Sequence, residues 1–145
     1  DREAVEIMQA RGALEGLVAR QAAERATDAD KQRLKDLTAQ MQTAFREGDL
    51  LAFSAINGRY HAEIHRISGN LTATRLLANL KSQIVRFQYR TIMLAGRARR
   101  SLQEYADITD AIAAGDAAGA EKAMQQHLDE ISAALTTTIA KPEGV

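Results

Sequence analysis

Apolar residues return along this chain at intervals of three and four, broken at a few glycine-containing stops, and the pattern predicts six helices. The first covers about Arg2 to Arg25, with Val5, Met8, Leu14, Leu17 and Val18 facing inward. Thr27 or Asp28 can cap a second, whose Leu34, Leu37, Met41 and Phe45 repeat until Glu47-Gly48-Asp49 ends it. A third sets Phe53, Ile56, Tyr60, Ile64 and Ile67 on one stripe and stops at Ser68-Gly69-Asn70. The fourth, from about Thr72 to Leu94, carries Leu76, Leu77, Leu80, Ile84, Phe87 and Ile92, should be the longest, and ends near Gly96. A fifth starts at Ser101 and runs through Leu102, Tyr105, Ile108 and Ile112 to Ala114-Gly115-Asp116. Asp116 caps the sixth, which passes Met124, His127, Leu128, Ile131 and Leu135 on its way to Lys141-Pro142. Strand-type alternation does not occur, so the expected fold is all-α: one antiparallel bundle with short connections.

The third helix carries more than packing. Taking 100° per residue from Phe53, Asn57, His61 and His65 fall at about 40°, 80° and 120°. Asn57 therefore lies inside the apolar stripe, His61 on its edge and His65 towards the rim, where it reads as structural or solvent-facing. On the fifth helix Tyr105 sits among inward residues, and on the sixth His127 flanks the stripe of Met124, Leu128 and Ile131. Three helices can thus aim polar tips at one cavity. The fourth adds Arg86 and Arg90, i and i+4 on one face with Gln83 a turn before, and a guanidinium fork suits a carboxylate. Arg11 and Glu15 are also one turn apart and can pair with each other or across an interface. Gly12, Gly16, Ala19 and Ala23 allow close helix approach, within the chain or between two copies.

Composition narrows the chemistry. The 145 residues amount to one domain. Cysteine is absent, so a metal would be held by His, carboxylate, amide or water. Lys plus Arg and Asp plus Glu both number 19, a balance that argues against nucleic-acid binding by this piece alone. No apolar run approaches the ~18 residues of a membrane span, and a soluble, cytoplasmic protein with no membrane partner is expected. Asp1-Arg2-Glu3 enters a helix without a methionine, which suggests a fragment of a longer protein.

Several stretches resemble one family. These are Arg11 with Leu14-Glu15, the run VARQAAERAT, and Asn57, Tyr60 and His61 closing in Ser68-Gly69-Asn70. Ser101, Leu102, Glu104, Ala111, Ile112, Gly115, Asp116, Met124 and His127 complete the set. Over nearly its whole length the chain resembles the FCD domain, the effector-binding and dimerising half of bacterial transcription regulators of the FadR branch of the GntR superfamily. Six helices suggest the shorter, VanR-like subgroup.

That resemblance implies a ligand-binding and dimerisation domain over residues 1–145, with an N-terminal winged-helix DNA-binding domain absent from this chain. It implies a homodimer, DNA contact only through the missing domain, and a small carboxylate metabolite in the bundle core. In the family an acidic residue or Asn and three histidines commonly hold a divalent metal. Asn57, His61 and His127 match three of these positions, and Tyr105 stands at the fourth. Zn²⁺ or Ni²⁺ would suit the surviving imidazoles better than Mg²⁺. Tyr105, Arg86, Arg90 and Gln83 are the expected effector contacts, with Arg86 foremost.

Two other functions compete with a sensor. A bundle-core metalloenzyme would use Glu-x-x-His pairs, but Gly58, Ala62 and Met124 stand three residues before the histidines, and no His-Glu-x-x-His occurs, so no enzyme is expected. A purely structural dimerisation module would bind no metal and have no pocket.

Overall fold

The computed structural model describes residues 2–139, with the side chains of 84–90, 92, 138 and 139 outside the description. Six helices form it: α1 (Arg2–Arg25), α2 (Asp28–Arg46), α3 (Leu50–Ser68), α4 (Leu71–Ile92), α5 (Arg97–Ala113) and α6 (Ala117–Ile139). The all-α fold agrees with the apolar periodicity. Ile84, Phe87, Ile92, Arg86, Arg90, Lys141 and Pro142 fall outside the described side chains.

Local chemistry sets the boundaries. Thr27 caps α2 in a reciprocal box: its hydroxyl accepts from the Asp30 backbone N–H while the Asp30 carboxylate accepts from its own. Thr27→Ala should therefore cost about 1 kcal/mol, read as a lower urea midpoint with unchanged slope. Asp49 and Asn70 cap α3 and α4 by a single bond each, accepting from the backbone N–H of Ala52 and of Ala73. Asp116 accepts from the Gly119 N–H and opens α6. Gly69 ends α3 with φ +64°, a left-handed cap that an L side chain would strain.

The packing order puts α1 against α6 most extensively, with α3, α4 and α5 also on α1. α2 lies across α3 and α5, away from α1 despite a two-residue link. Gly12 and Gly16 explain the closeness of α1 and α6. A Cβ on Gly16 would lie 2.9 Å from Gln125 Cγ, and one on Gly12 would lie 3.9 Å from Leu128 Cβ. The small-residue stripe of α1 thus serves a contact within the chain.

Three expectations need correction. Helix α4, with 22 residues, is shorter than α1 with 24 and α6 with 23. Helix α5 begins at Arg97 rather than Ser101, because Gly96 takes a left-handed turn and Arg97 folds inward onto Ser101. Leu17 and Leu76 are exposed at 37% and 48%. On α1 the inward positions go instead to Met8, Arg11, Glu15, Val18, Ala19 and Ala22. Of the two readings of His65, structural or solvent-facing, the structure favours the first, since it reaches back to Glu15.

Candidate functional site

Helix α3 presents Asn57, Tyr60, His61 and Ile64 towards the bundle, and Tyr105 on α5 meets them from the other side. The Tyr105 hydroxyl is the hub. It donates to Asn57 Oδ1, lies 3.0 Å from His61 Nε2 and lies 3.1 Å from His127 Nε2 on α6. Tyr60 packs edge-on against the Tyr105 ring and shares a 2.7 Å hydrogen bond with Thr109. Burial drives both phenols above their ordinary range, so each is neutral.

Charged side chains flank the hub at either end. Behind His127, Nδ1 lies 2.6 Å from Glu104 Oε1, and Glu104 also accepts from Arg97, which is 1% exposed. Burial pushes the His127 imidazole down to about 4 despite that carboxylate. In front of His61 stands Glu15, 2% exposed, which takes His65 Nε2 at 3.0 Å and has Arg11 Nε 4.0 Å away. Burial opposes the Glu15 charge, but the imidazoles of His61 and His65 outweigh it and keep the carboxyl well below its usual range. Burial lowers His61.

A cavity of about 230 Å³ opens between α1, α3 and α4 at this Glu15 end. Its described walls include Arg11, Glu15, Asn57, His61, His65 and Lys81. Asn57 and His61 of the expected set line it, whereas Tyr105 and His127 sit behind them. Gln83 is exposed and outside the described lining. Arg86 and Arg90 lie outside the described side chains. Buried Arg11, Glu15 and Arg97 and half-buried Glu104 stand at or behind this site, and sequence reasoning gave them no site role.

The expected metal ligands converge, but on an oxygen atom. Imidazole nitrogens at 3.0 and 3.1 Å from a neutral phenol are hydrogen-bond partners, and Zn–N bonds are about 2.0–2.1 Å. Asn57, His61 and His127 with Tyr105 between them therefore do not fit a divalent ion. They fit a proton-sharing cluster. A different group, Glu15, His61 and His65, has ligand atoms within 4.8 Å of one another.

Known proteins agree with the fold and with the motifs. The chain is 30% identical over 122 residues to the HTH-type transcriptional repressor RspR of Escherichia coli K12, covering 84% of this chain and 54% of that protein. The same figures hold for a Shigella flexneri HTH-type transcriptional regulator, YdfH. The chain thus spans about half the length of these curated relatives. Among solved structures, E. coli McbR/YncC superimposes with a TM-score of 0.87 at 20% identity, covering 96% of this chain and 66% of that one. Streptococcus agalactiae GntR gives 0.76 at 24% identity, covering 92% and 59%. The FCD domain model matches residues 6–130, and the chain belongs to the FCD domain family.

Proposed function

We propose that this chain is the effector-sensing and dimerising part of a bacterial transcription regulator of the GntR superfamily, and that it is not an enzyme. The observation that carries this reading is the polar cavity between α1, α3 and α4. A module built only to dimerise has no need of buried Arg11, Glu15 and His61 around an open space. At about 230 Å³ the cavity falls below the ~300–1,000 Å³ of drug-sized sites, which favours a metabolite of a few carbons.

A carboxylate is the chemistry these walls favour. Arg11 and Lys81 bring two positive charges against the one negative charge of Glu15. Asn57 adds an amide. On this proposal Tyr105 acts from behind, by orienting His61, and Arg86, Arg90 and Gln83 are the further effector contacts expected from α4. Occupancy would draw α4 towards α1 and α3, and the altered packing would pass to a second copy and to an N-terminal winged-helix domain. Such coupling requires the acid to bind one arrangement better than another. The VanR-like subgroup remains part of this proposal, supported by the number of helices.

Thermal unfolding with a panel of short mono- and dicarboxylic acids tests the reading. An acid present at 100 times its Kd should raise stability by about 2.7 kcal/mol, hence Tm by roughly 5–10 °C. Arg11→Gln should abolish the shift. Absence of any shift across acetate, lactate, succinate and glutarate would remove the carboxylate from the proposal.

A further inference from the structure

His61 faces two ways, and only one of its nitrogens is satisfied. Nε2 meets the Tyr105 hydroxyl, while Nδ1 is buried, has no hydrogen-bond partner, and lies 3.5 Å from Glu15 Oε2. Counting protons decides what Nδ1 carries. The carboxylate of Glu104 takes the Nδ1–H of His127, which leaves His127 Nε2 an acceptor. Asn57 Oδ1 is an acceptor too, so both already compete for the one proton of the Tyr105 hydroxyl. The tautomer with the proton on His61 Nε2 gives Tyr105 a donor in place of a third competing acceptor. In that tautomer Nδ1 is a bare lone pair 3.5 Å from the Glu15 carboxylate, and a proton or a metal ion between the two satisfies both.

We infer that Glu15, His61 and His65 form a divalent transition-metal site at the inner end of the cavity. In a tetrahedral site with bonds near 2.0–2.1 Å, neighbouring ligand atoms stand about 3.3 Å apart. Glu15 Oε2 stands 3.5 Å from His61 Nδ1 and 3.0 Å from His65 Nε2. His61 and His65 are i and i+4 on α3, the spacing by which one helix presents two imidazoles to one ion. Arg11 approaches the other carboxylate oxygen, Oε1, at 4.0 Å. Two imidazoles and one carboxylate suit Zn²⁺, Co²⁺ or Ni²⁺ over Mg²⁺.

The arrangement also has the outer support such sites use. Tyr105 accepts the second ring N–H of His61 and fixes its orientation, as hydrogen-bonded partners of metal-binding histidines do. The ion would add two positive charges to the Glu15 end, and its remaining position would face the cavity. That position accepts a carboxylate oxygen, a step that rests on the effector reading above. The metal site itself does not.

The test is a calorimetric titration of the chelator-stripped chain with ZnCl₂, with native mass spectrometry for stoichiometry and imidazole ¹⁵N spectra for the donor atoms. One ion per chain is expected, bound through His61 Nδ1 and His65 Nε2. Glu15→Gln and His65→Gln should each weaken it at least tenfold, while His127→Gln should change it less than threefold. No stoichiometric ion, or loss in His127→Gln with retention in His65→Gln, overturns the assignment. The spectra of the unsubstituted chain decide the donor atoms even if a variant misfolds. Succinate titrated with and without Zn²⁺ separates the two readings. At least tenfold tighter binding with the ion supports the open position, and equal binding refutes it while sparing the effector reading. A bound ion with no acid binding keeps the metal site and defeats the effector reading.

Discussion

Glu104→Gln should destabilise the bundle by about 3–5 kcal/mol, because it strands a buried guanidinium. Arg97 is 1% exposed, and its Nη2 donates to Glu104 and Ser101. Its Nη1 has no hydrogen-bond partner, and the other carboxylate near it, Glu130, stands 4.0 Å away on a side chain that is 59% exposed. A glutamine keeps the shape and can still accept from His127, so packing is preserved and only the countercharge is lost. The converse substitution, Arg97→Met, should cost less. Glu104 retains 18% side-chain exposure and can be hydrated, whereas Arg97 cannot. Urea unfolding followed by circular dichroism measures both. A loss below about 1 kcal/mol in Glu104→Gln, or a larger loss in Arg97→Met, would mean that Glu130 and solvent compensate the guanidinium instead.

Arg97 also shows where sequence reading reaches its limit. Apolar spacing located the helices because each turn of burial repeats at three or four residues, and Phe53, Tyr60, Ile64, Ile108 and Met124 are all buried as that spacing requires. It failed where an inward position holds a charge. Met8, Arg11, Glu15, Val18 and Ala22 are all buried and follow spacings of three, four, three and four, so Arg11 and Glu15 sit squarely in the seam. The run Arg97, Ser101, Tyr105, Ile108 and Ile112 does the same on α5. Reading only the hydrophobes shifted the inward face of α1 to Leu14 and Leu17 and began α5 a turn late. The signal was present as a gap in an apolar rhythm, but the partner that makes such a charge tolerable lies on another helix. Glu15 needs His61 and His65, 46 and 50 residues on, and no local spacing reports that contact. The convergence of Asn57, His61, Tyr105 and His127 was legible from helix faces. That a hydroxyl would sit at their centre was not, since it depends on the distances between three helices.

Acid should unfold this protein earlier than its carboxylates alone would dictate. His127 is fully buried, and its folded-state value is pushed down to about 4 from 6.5. The groups facing it are Glu104, Tyr105 and Arg97 on α5 and His61 on α3. Between these two values the unfolded chain holds the proton and the folded chain does not. Stability therefore rises with pH across that window and falls as pH drops from about 6.5 towards 4. The slope is about 1.4 kcal/mol per pH unit for one group, or about 3 kcal/mol in all. His61, which faces Glu15, Arg11 and His65 from α1 and α3, is also lowered by burial and adds in the same direction. Glu15 acts at lower pH: its folded value lies below 4.5, so its contribution is present above that point and is lost only further into acid. Urea midpoints taken every half unit from pH 7 to 4, with a chelator so that no ion occupies an imidazole, should trace this fall. In His127→Gln the slope over that window should shrink by about 1.4 kcal/mol per unit. An unchanged slope would show that His127 keeps its proton when folded, as an imidazolium shared between Glu104 and Tyr105. His61 Nε2 would still be the donor to Tyr105 in that case, because the hydroxyl proton would go to Asn57.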